Sequence, residues 1–182
     1  MNFRNHNKVN NSSNNHLIFQ TPFGYCAIVY QKAPFFIKET VLPVKDKTEL
    51  NKLKKSSWGL PEVCDNAVIV SELIKDYFKG KAIEPPYQWL FMSNLTVLQQ
   101  DVLKATAKIP FGETRSYKDI AVAVKRPKAS RFVGNTMANN PFPIIIPCHR
   151  VIRSDRSIGQ FGGGTELKIK MLEHEAHYAG LK

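Results

Sequence analysis

No stretch of the 182-residue chain approaches the roughly 18 consecutive apolar residues that a membrane-spanning helix needs, so no membrane partner is expected. Residues Met1 to Asn15 are polar and asparagine-rich and lack the apolar segment of a secretory signal; they read as a disordered tail. Cysteine is scarce. Cys26, Cys64 and Cys148 are far apart and odd in number, which argues against a disulfide framework and for a reducing compartment, cytoplasm in a prokaryote or nucleus in a eukaryote. No Cys-x-x-Cys or His-x3-His spacing occurs, so no metal site and no cofactor are expected. His174 and His177 stand three apart without further ligands and read as surface. Internal repeats are absent. Acidic residues are also in deficit: 15 Asp/Glu face 26 Lys/Arg, a net charge of +11. The imbalance is uneven, 14 basic against 7 acidic residues over 91–182 and 12 against 8 over 1–90. Such a chain either meets a polyanion, most often nucleic acid, or simply carries a solvated basic surface.

What is present falls into two parts. Residues 16–42 alternate apolar and polar around a Thr21-Pro22-Phe23-Gly24 turn, giving strands at His16 to Gln20, Tyr25 to Gln31 and Phe35 to Leu42. A short helix is expected over Thr48 to Lys55 and a loop over Ser56 to Pro61. A better helix runs from Asp65, as its cap, to Lys79 before Gly80, with Val70, Leu73, Ile74 and Tyr77 on one stripe. These elements make a small α+β domain, 16–90, with a three-stranded antiparallel sheet whose apolar positions read as core without chemistry. Ala82 to Trp89, containing Pro85-Pro86, reads as a linker.

The second part, 91–182, reads as mostly helical. Asn94 is expected to cap a helix to Ala107. Ser116 caps Tyr117 to Val124, Ser130 caps Arg131 to Asn139, and Lys125-Arg126-Pro127-Lys128 lies between them. Two short helices about a basic turn have the layout of a helix-turn-helix, or of an ordinary helical hairpin. On the second, Val133 and Met137 face inward, while Arg131, Gly134, Asn135 and Ala138 share the exposed side. A last helix over Glu166 to Ala176 follows Gly162-Gly163-Gly164, a run that permits close backbone approach or flexibility.

Between these helices lies Asn140 to Val151, Asn-Pro-Phe-Pro-Ile-Ile-Ile-Pro-Cys-His-Arg-Val. An apolar run fenced by prolines suits a rigid buried approach, not a helix, and delivers Cys148 to the edge of a core. A lone cysteine is commonly inert packing. It becomes a nucleophile only as the thiolate, which a neighbouring imidazole or guanidinium favours, and His149 and Arg150 adjoin it. Glu175 is a candidate partner for the histidine.

Taken together these segments resemble the O6-alkylguanine-DNA alkyltransferases, also called methylated-DNA–protein-cysteine methyltransferases. The resemblance rests on Ile146-Pro147-Cys148-His149-Arg150-Val151. Phe111-Gly112-Glu113 with Ser116-Tyr117, Arg131-Phe132-Val133-Gly134 and Asn139-Asn140-Pro141 add to it, as do Gly159 to Gly164 and Leu172-Glu173-His174-Glu175. It covers Leu95 to His177 and implies a variable N-terminal α+β part before a helix-turn-helix part. The implied activity is direct-reversal DNA repair, a single transfer of the alkyl group from O6-alkylguanine to Cys148 after base flipping.

The same resemblance implies the residue roles. His149, through a water, takes the thiol proton; Glu175 orients it; Tyr117 donates toward guanine N3; Asn140 holds the turn before Cys148. Arg131 fills the space of the flipped base, and Ser130, Gly134, Asn135 and Tyr117 meet double-stranded DNA in the minor groove. Val151, Phe161, Gly162 and Met137 belong to the alkylguanine pocket, and the protein works as a monomer. Three positions depart from the family pattern. Phe132 stands where small residues are usual, Phe161 where many relatives have tyrosine, and Gly162 where serine is frequent. The alternative is a damage sensor that binds alkylated DNA without repairing it; relatives of that kind replace the cysteine. A thiol hydrolase using Cys148 and His149 is a third reading.

Overall fold

The computed structural model describes residues 14–180. Of the expected tail, Met1 to Asn15, residues 1–13 lie outside the described residues; Asn14 and Asn15 belong to the first strand. Strands β1 (Asn14–Thr21), β2 (Gly24–Gln31) and β3 (Phe36–Val44) form an antiparallel meander. The hydroxyl of Thr21 closes the first turn, donating to Gly24 O at 2.9 Å and accepting from Phe23 N at 3.2 Å. Helix α1 (Lys47–Leu53) is capped by Asp46, whose carboxylate accepts from the amides of Thr48 and Glu49. A 3-10 turn at Ser56–Trp58 leads into β4 (Leu60–Pro61). The sheet is thus four-stranded, in the order β3-β2-β1-β4, and not three-stranded as expected. The added strand pairs parallel with β1 through two residues only, Asn15 with Leu60 and His16 with Pro61.

Both faces of this sheet are covered, which is why Cys26 to Tyr30 is a continuous buried run and not an alternating one. Cys26, Ile28 and Tyr30 face helix α2 (Asp65–Tyr77) through Ala67, Val70, Ile74 and Tyr77. Ala27 and Val29 face Leu50 and Trp58 on the other side. Burial pushes the Cys26 thiol up to about 12, so it is an inert core group. Cys64, not Asp65, is the N-cap of α2, and its side chain makes no capping bond. Asp65 already lies within the first turn, where its charge still complements the helix dipole.

His16 lies under Trp58, ring centroids 5.7 Å apart, with neither ring nitrogen hydrogen-bonded among the described residues. Burial, reinforced by the Lys54 charge, lowers its pKa below the ordinary histidine value. The unfolded chain therefore binds the proton more readily. The contribution is fully present above the unfolded value of about 6.5 and is lost as pH falls below it. Urea unfolding from pH 8 down to 5 should show stability dropping by up to about 1.4 kcal/mol per pH unit for such a group. His16→Gln should flatten that slope; an unaltered slope would show that His16 does not titrate on unfolding.

The expected linker is packed. Its 3-10 turn at Tyr87–Trp89 sets Trp89 edge-on to Phe35, and Leu90 bridges to Ile37. Helix α3 (Val97–Ala107) starts at Thr96, which forms a reciprocal capping box with Gln99; Asn94 lies outside it. Strand β5 (Arg115–Ser116) runs straight into α4 (Tyr117–Ala123), and Ser116 caps α4 as expected. Helix α5 (Ser130–Ala138) begins inside Ser130, which is its first residue; Ala129 is the N-cap and no side chain caps it. A 3-10 turn at Cys148–Arg150 leads into β6 (Val151–Ile152), which pairs parallel with β5. Helix α6 (Thr165–Ala179) is the last element among the described residues. The main core is continuous from Phe19 in β1 to Met171 in α6. Among the described residues no helix is long and apolar enough to cross a membrane.

Candidate active site

The approach to Cys148 is a buried, cross-braced loop. Phe142, Ile144, Ile145 and Ile146 are essentially inaccessible. Asn140 pins the loop from both sides: its amide donates to Ile146 O at 2.9 Å and its carbonyl accepts from Phe142 N at 3.0 Å. Strand β3 adds a second brace, because Thr40 N donates to Pro141 O at 2.9 Å and the Thr40 hydroxyl to Pro143 O at 2.8 Å. Under this constraint the β-branched Ile144 adopts a left-handed φ of 75°, a conformation costing roughly 1–3 kcal/mol that only dense surroundings maintain. Cys148 follows, 5% exposed at the edge of the core.

Behind the thiol stands a buried polar cluster centred on Glu175 of α6. Glu175 Oε1 accepts from His149 Nε2 at 2.7 Å and from the Tyr77 hydroxyl at 2.9 Å. Its Oε2 accepts from Arg150 Nε at 2.9 Å and from Gly112 N at 3.0 Å. Arg150 also donates to Ile109 O at 2.7 Å. One carboxylate thus joins α2, the turn after α3, the Cys148 turn and α6. Burial alone would raise the Glu175 pKa, but the hydrogen bonds from His149 and Arg150 and the Arg150 charge outweigh it and hold the carboxyl below the usual range. With Nε2–H directed at a carboxylate, His149 presents Nδ1 as its lone pair, and Nδ1 has no hydrogen-bond partner among the described residues. Burial lowers the His149 pKa, so the ring is neutral near pH 7.

Three expectations change here. Arg150, whose charge was to favour the thiolate, is committed to Glu175. The N-terminal part is not free of chemistry, since Tyr77 reaches Glu175 and lies 3.2 Å from His149 Nε2. Position 77 reads as a core position because α2 buries it; only its hydroxyl distinguishes it from phenylalanine. His174 is likewise not plain surface: it is half-buried, with Nε2 at 3.1 Å from Tyr77 O.

A family model described as 6-O-methylguanine DNA methyltransferase, DNA binding domain, matches residues 97–177. The methylated-DNA–protein-cysteine methyltransferase of Methanosarcina barkeri is 41% identical over 102 residues, 56% of this chain but only 63% of that protein. A probable methylated-DNA–protein-cysteine methyltransferase of Acanthamoeba polyphaga mimivirus is 34% identical over 164 residues, 87% of this chain and 94% of that one. The chain belongs to the methylated-DNA–protein-cysteine methyltransferase family. A crystal structure of Mycobacterium tuberculosis OGT in complex with DNA is similar in fold, with a TM-score of 0.71 at 28% identity, covering 90% of this chain and 94% of that one.

In this methyltransferase-family chain the remaining expected residues lie on α4, on α5, in β6 and in the loop before α6. Tyr117 opens α4 half-buried, between Gly134 of α5 and Gly159. A Cβ on Gly159, whose φ is 69°, would come within 3.0 Å of the Tyr117 hydroxyl, so that position is kept bare. Arg131 and Asn135 are exposed on α5, with Ser130 and Gly134 partly so; Phe132 packs against the core, and Met137 is buried against Thr106 of α3. Val151 is buried directly after the Cys148 turn. Phe161 is half-buried, its ring 6.5 Å from that of His149. Around Gly162 no atom of the described residues, its two chain neighbours aside, lies within 4 Å of where a Cβ would stand. No cluster of potential metal ligands exists among the described residues.

Sequence reading missed Lys168. It is fully buried on α6, donates to Val151 O at 2.6 Å, lies 6.0 Å from the Tyr117 ring centroid, and has no carboxylate in ion-pair range among the described residues. Burial pushes its pKa down to about 8, partly offset by the negative charge Cys148 can carry. Burial also raises the Cys148 pKa, against the opposing effects of the Asn140 amide and the Lys168 charge. Cys148 therefore rests as the thiol and needs a base.

Proposed function

We propose that the protein repairs DNA by direct reversal, moving the alkyl group of one O6-alkylguanine to Cys148. The observation that carries this reading is the buried His149–Glu175 contact of 2.7 Å beside Cys148, with His149 Nδ1 unpaired. In the proposed step the proton on Cys148 passes to His149, through a water, and Glu175 stabilises the resulting imidazolium. The sulfur attacks the alkyl carbon; the S–C bond forms as the C–O6 bond breaks, and the electrons leave with guanine. Tyr117, whose pKa burial and the Cys148 charge raise, keeps its proton and donates it toward guanine N3. A thioether has no leaving group to regenerate the thiol, so each molecule acts once.

Guanine O6 is inaccessible in a stacked duplex, so the nucleotide is flipped at a cost of about a few kcal/mol. Arg131, exposed on α5, takes the vacated place. Helices α4 and α5 act as a helix-turn-helix whose second helix lies in the minor groove, where little sequence is read and any guanine is accepted. Ser130, Gly134 and Asn135 form that contact, and Val151, Phe161, Gly162 and Met137 shape the pocket. Residues 16–90 serve as the supporting domain and 91–182 as the DNA-binding and transfer domain. The protein acts as a monomer, without cofactor or metal, in a reducing compartment inside the cell.

Incubation with duplex DNA carrying methyl-labelled O6-methylguanine should place one methyl group on the peptide containing Cys148, read by mass spectrometry. A Cys148→Ala protein that still takes up label would overturn the reading. Binding without loss of the lesion would mark a damage sensor instead.

A further inference from the structure

Beyond Tyr117, on the side away from α5, the chain after β6 makes a tight turn. Arg153 N donates to Ser157 O at 2.9 Å and Arg156 N to Arg153 O at 3.0 Å. Within it Arg156 adopts a φ of 70°, in the left-handed region that glycine enters freely and a bulky L residue does not. The turn alone therefore favours glycine, and the side chain kept there is a long cation.

Facing this turn is a cleft of about 370 Å³ with Arg115, Lys118, Arg153 and Arg156 on its walls. Arg115 is paired with Glu113 at 2.8 Å. Lys118, Arg153 and Arg156 have no carboxylate in ion-pair range among the described residues. The nearby acids are otherwise engaged: Asp119 accepts from Ser116 N at 2.8 Å as part of the α4 cap, and Asp155 accepts from Ser157 N at 2.9 Å and its hydroxyl at 2.6 Å. All three unpaired cations are exposed.

The cleft is tied to the active site by the backbone. Strand β6 follows the Cys148 turn directly and pairs with β5, Arg115 with Val151 and Ser116 with Ile152. Arg153 Cγ lies 3.6 Å from the point where a Gly159 Cβ would stand, the same point that is 3.0 Å from the Tyr117 hydroxyl. A strand crossing the site from α5 past Tyr117 meets Arg153 next. Guanidinium groups recognise phosphate oxygens by paired N–H donors, and a cleft whose four lining cations outnumber its one lining carboxylate, Asp119, suits an anionic group.

We propose that this cleft clasps a backbone phosphate of the lesion-bearing DNA strand, with Arg153 and Arg156 as its donors, and so fixes that strand on the far side of Tyr117 from α5. The inference rests on the repair reading and adds to it a second anchoring point outside the helix pair. Each phosphate contact releases condensed counterions, so binding carries a salt signature. Fluorescence anisotropy with a labelled duplex over a range of NaCl should give a log K against log[salt] slope shallower by about 1 for Arg153→Ala/Arg156→Gly, which loses that one phosphate, and by a part of this for Arg156→Gly. Arg156→Gly relieves the backbone conformation, so its unfolding temperature should not fall. Lys52→Ala, on exposed α1, is the control and should leave the slope unaltered. Slopes equal to wild type in the arginine variants, or an equal change in Lys52→Ala, would overturn the clasp. The underlying reading is tested apart from it: wild-type protein that takes no benzyl group from free O6-benzylguanine fails as a transferase, whatever the slopes show.

Discussion

Replacing Glu175 by glutamine is expected to lower stability by about 3–5 kcal/mol and to slow benzyl transfer to Cys148 by roughly a hundredfold or more. Glutamine preserves the shape and removes the charge. Arg150, 6% exposed, then keeps a buried positive charge with no counter-ion, and guanidinium cannot shed its proton. The amide group also brings donors where Arg150 Nε and Gly112 N already donate to Oε2. On the other oxygen, His149 loses the carboxylate that fixes its tautomer and stabilises its imidazolium. Four segments meet at this side chain, so the stability loss should appear as one cooperative shift of the urea midpoint. The rate loss should persist at temperatures where the variant is folded. A loss below about 1 kcal/mol with an unaltered rate would show that the cluster is neither a structural nor a chemical centre.

The parts of this site carried by local sequence are readable; the parts assembled across the chain are not. Asn140 to Val151 announces itself because prolines exclude helix and the apolar run demands burial before a Cys-His pair. The Ser116 cap is legible for a similar reason, since a helix needs an acceptor at its start. Strand β4 is not, because two residues pairing parallel with β1 leave no alternation to read. Asp65, Asn94 and Ser130 look like caps by type, yet the chain enters each helix a residue or more away, at Cys64, Thr96 and Ala129. Tyr77 lies at the core end of an ordinary apolar stripe, and only tertiary packing brings its hydroxyl to Glu175.

Helix α6 inverts the usual pattern. Its buried positions are Lys168, Met171 and Glu175, spaced three and four apart, while Ile169 is 38% exposed. Apolar periodicity therefore gives a weak signal there. The better clue is that Lys168 shares the helix face of Glu175, two turns before it. A face with two charges and one methionine is costly unless each charge has a partner. Glu175 has Arg150 and His149; Lys168 donates to one carbonyl oxygen, that of Val151, and Cys148 lies near enough for a charge on its sulfur to favour the ammonium.

Lys168→Met is accordingly expected to raise the pH midpoint for Cys148 alkylation by about one unit or more and to slow it roughly tenfold at pH 7. Methionine matches the length of the stem and keeps it packed, so the lost quantity is charge. The groups facing the ammonium are Cys148, which favours its protonated form, and Arg153, which opposes it. His149, whose own pKa the Lys168 charge lowers, and the Tyr117 ring, 6.0 Å away, complete its surroundings. A second readout fixes the sign. The folded value of about 8 lies below that of an exposed lysine. In the window between them the unfolded chain binds more protons, and wild-type stability should rise with pH above about 8. Lys168→Met should lack that rise. If the variant alkylates more slowly at every pH but keeps the wild-type midpoint, Lys168 only holds Val151 in place. A midpoint that moves upward would show its charge acting on the sulfur itself.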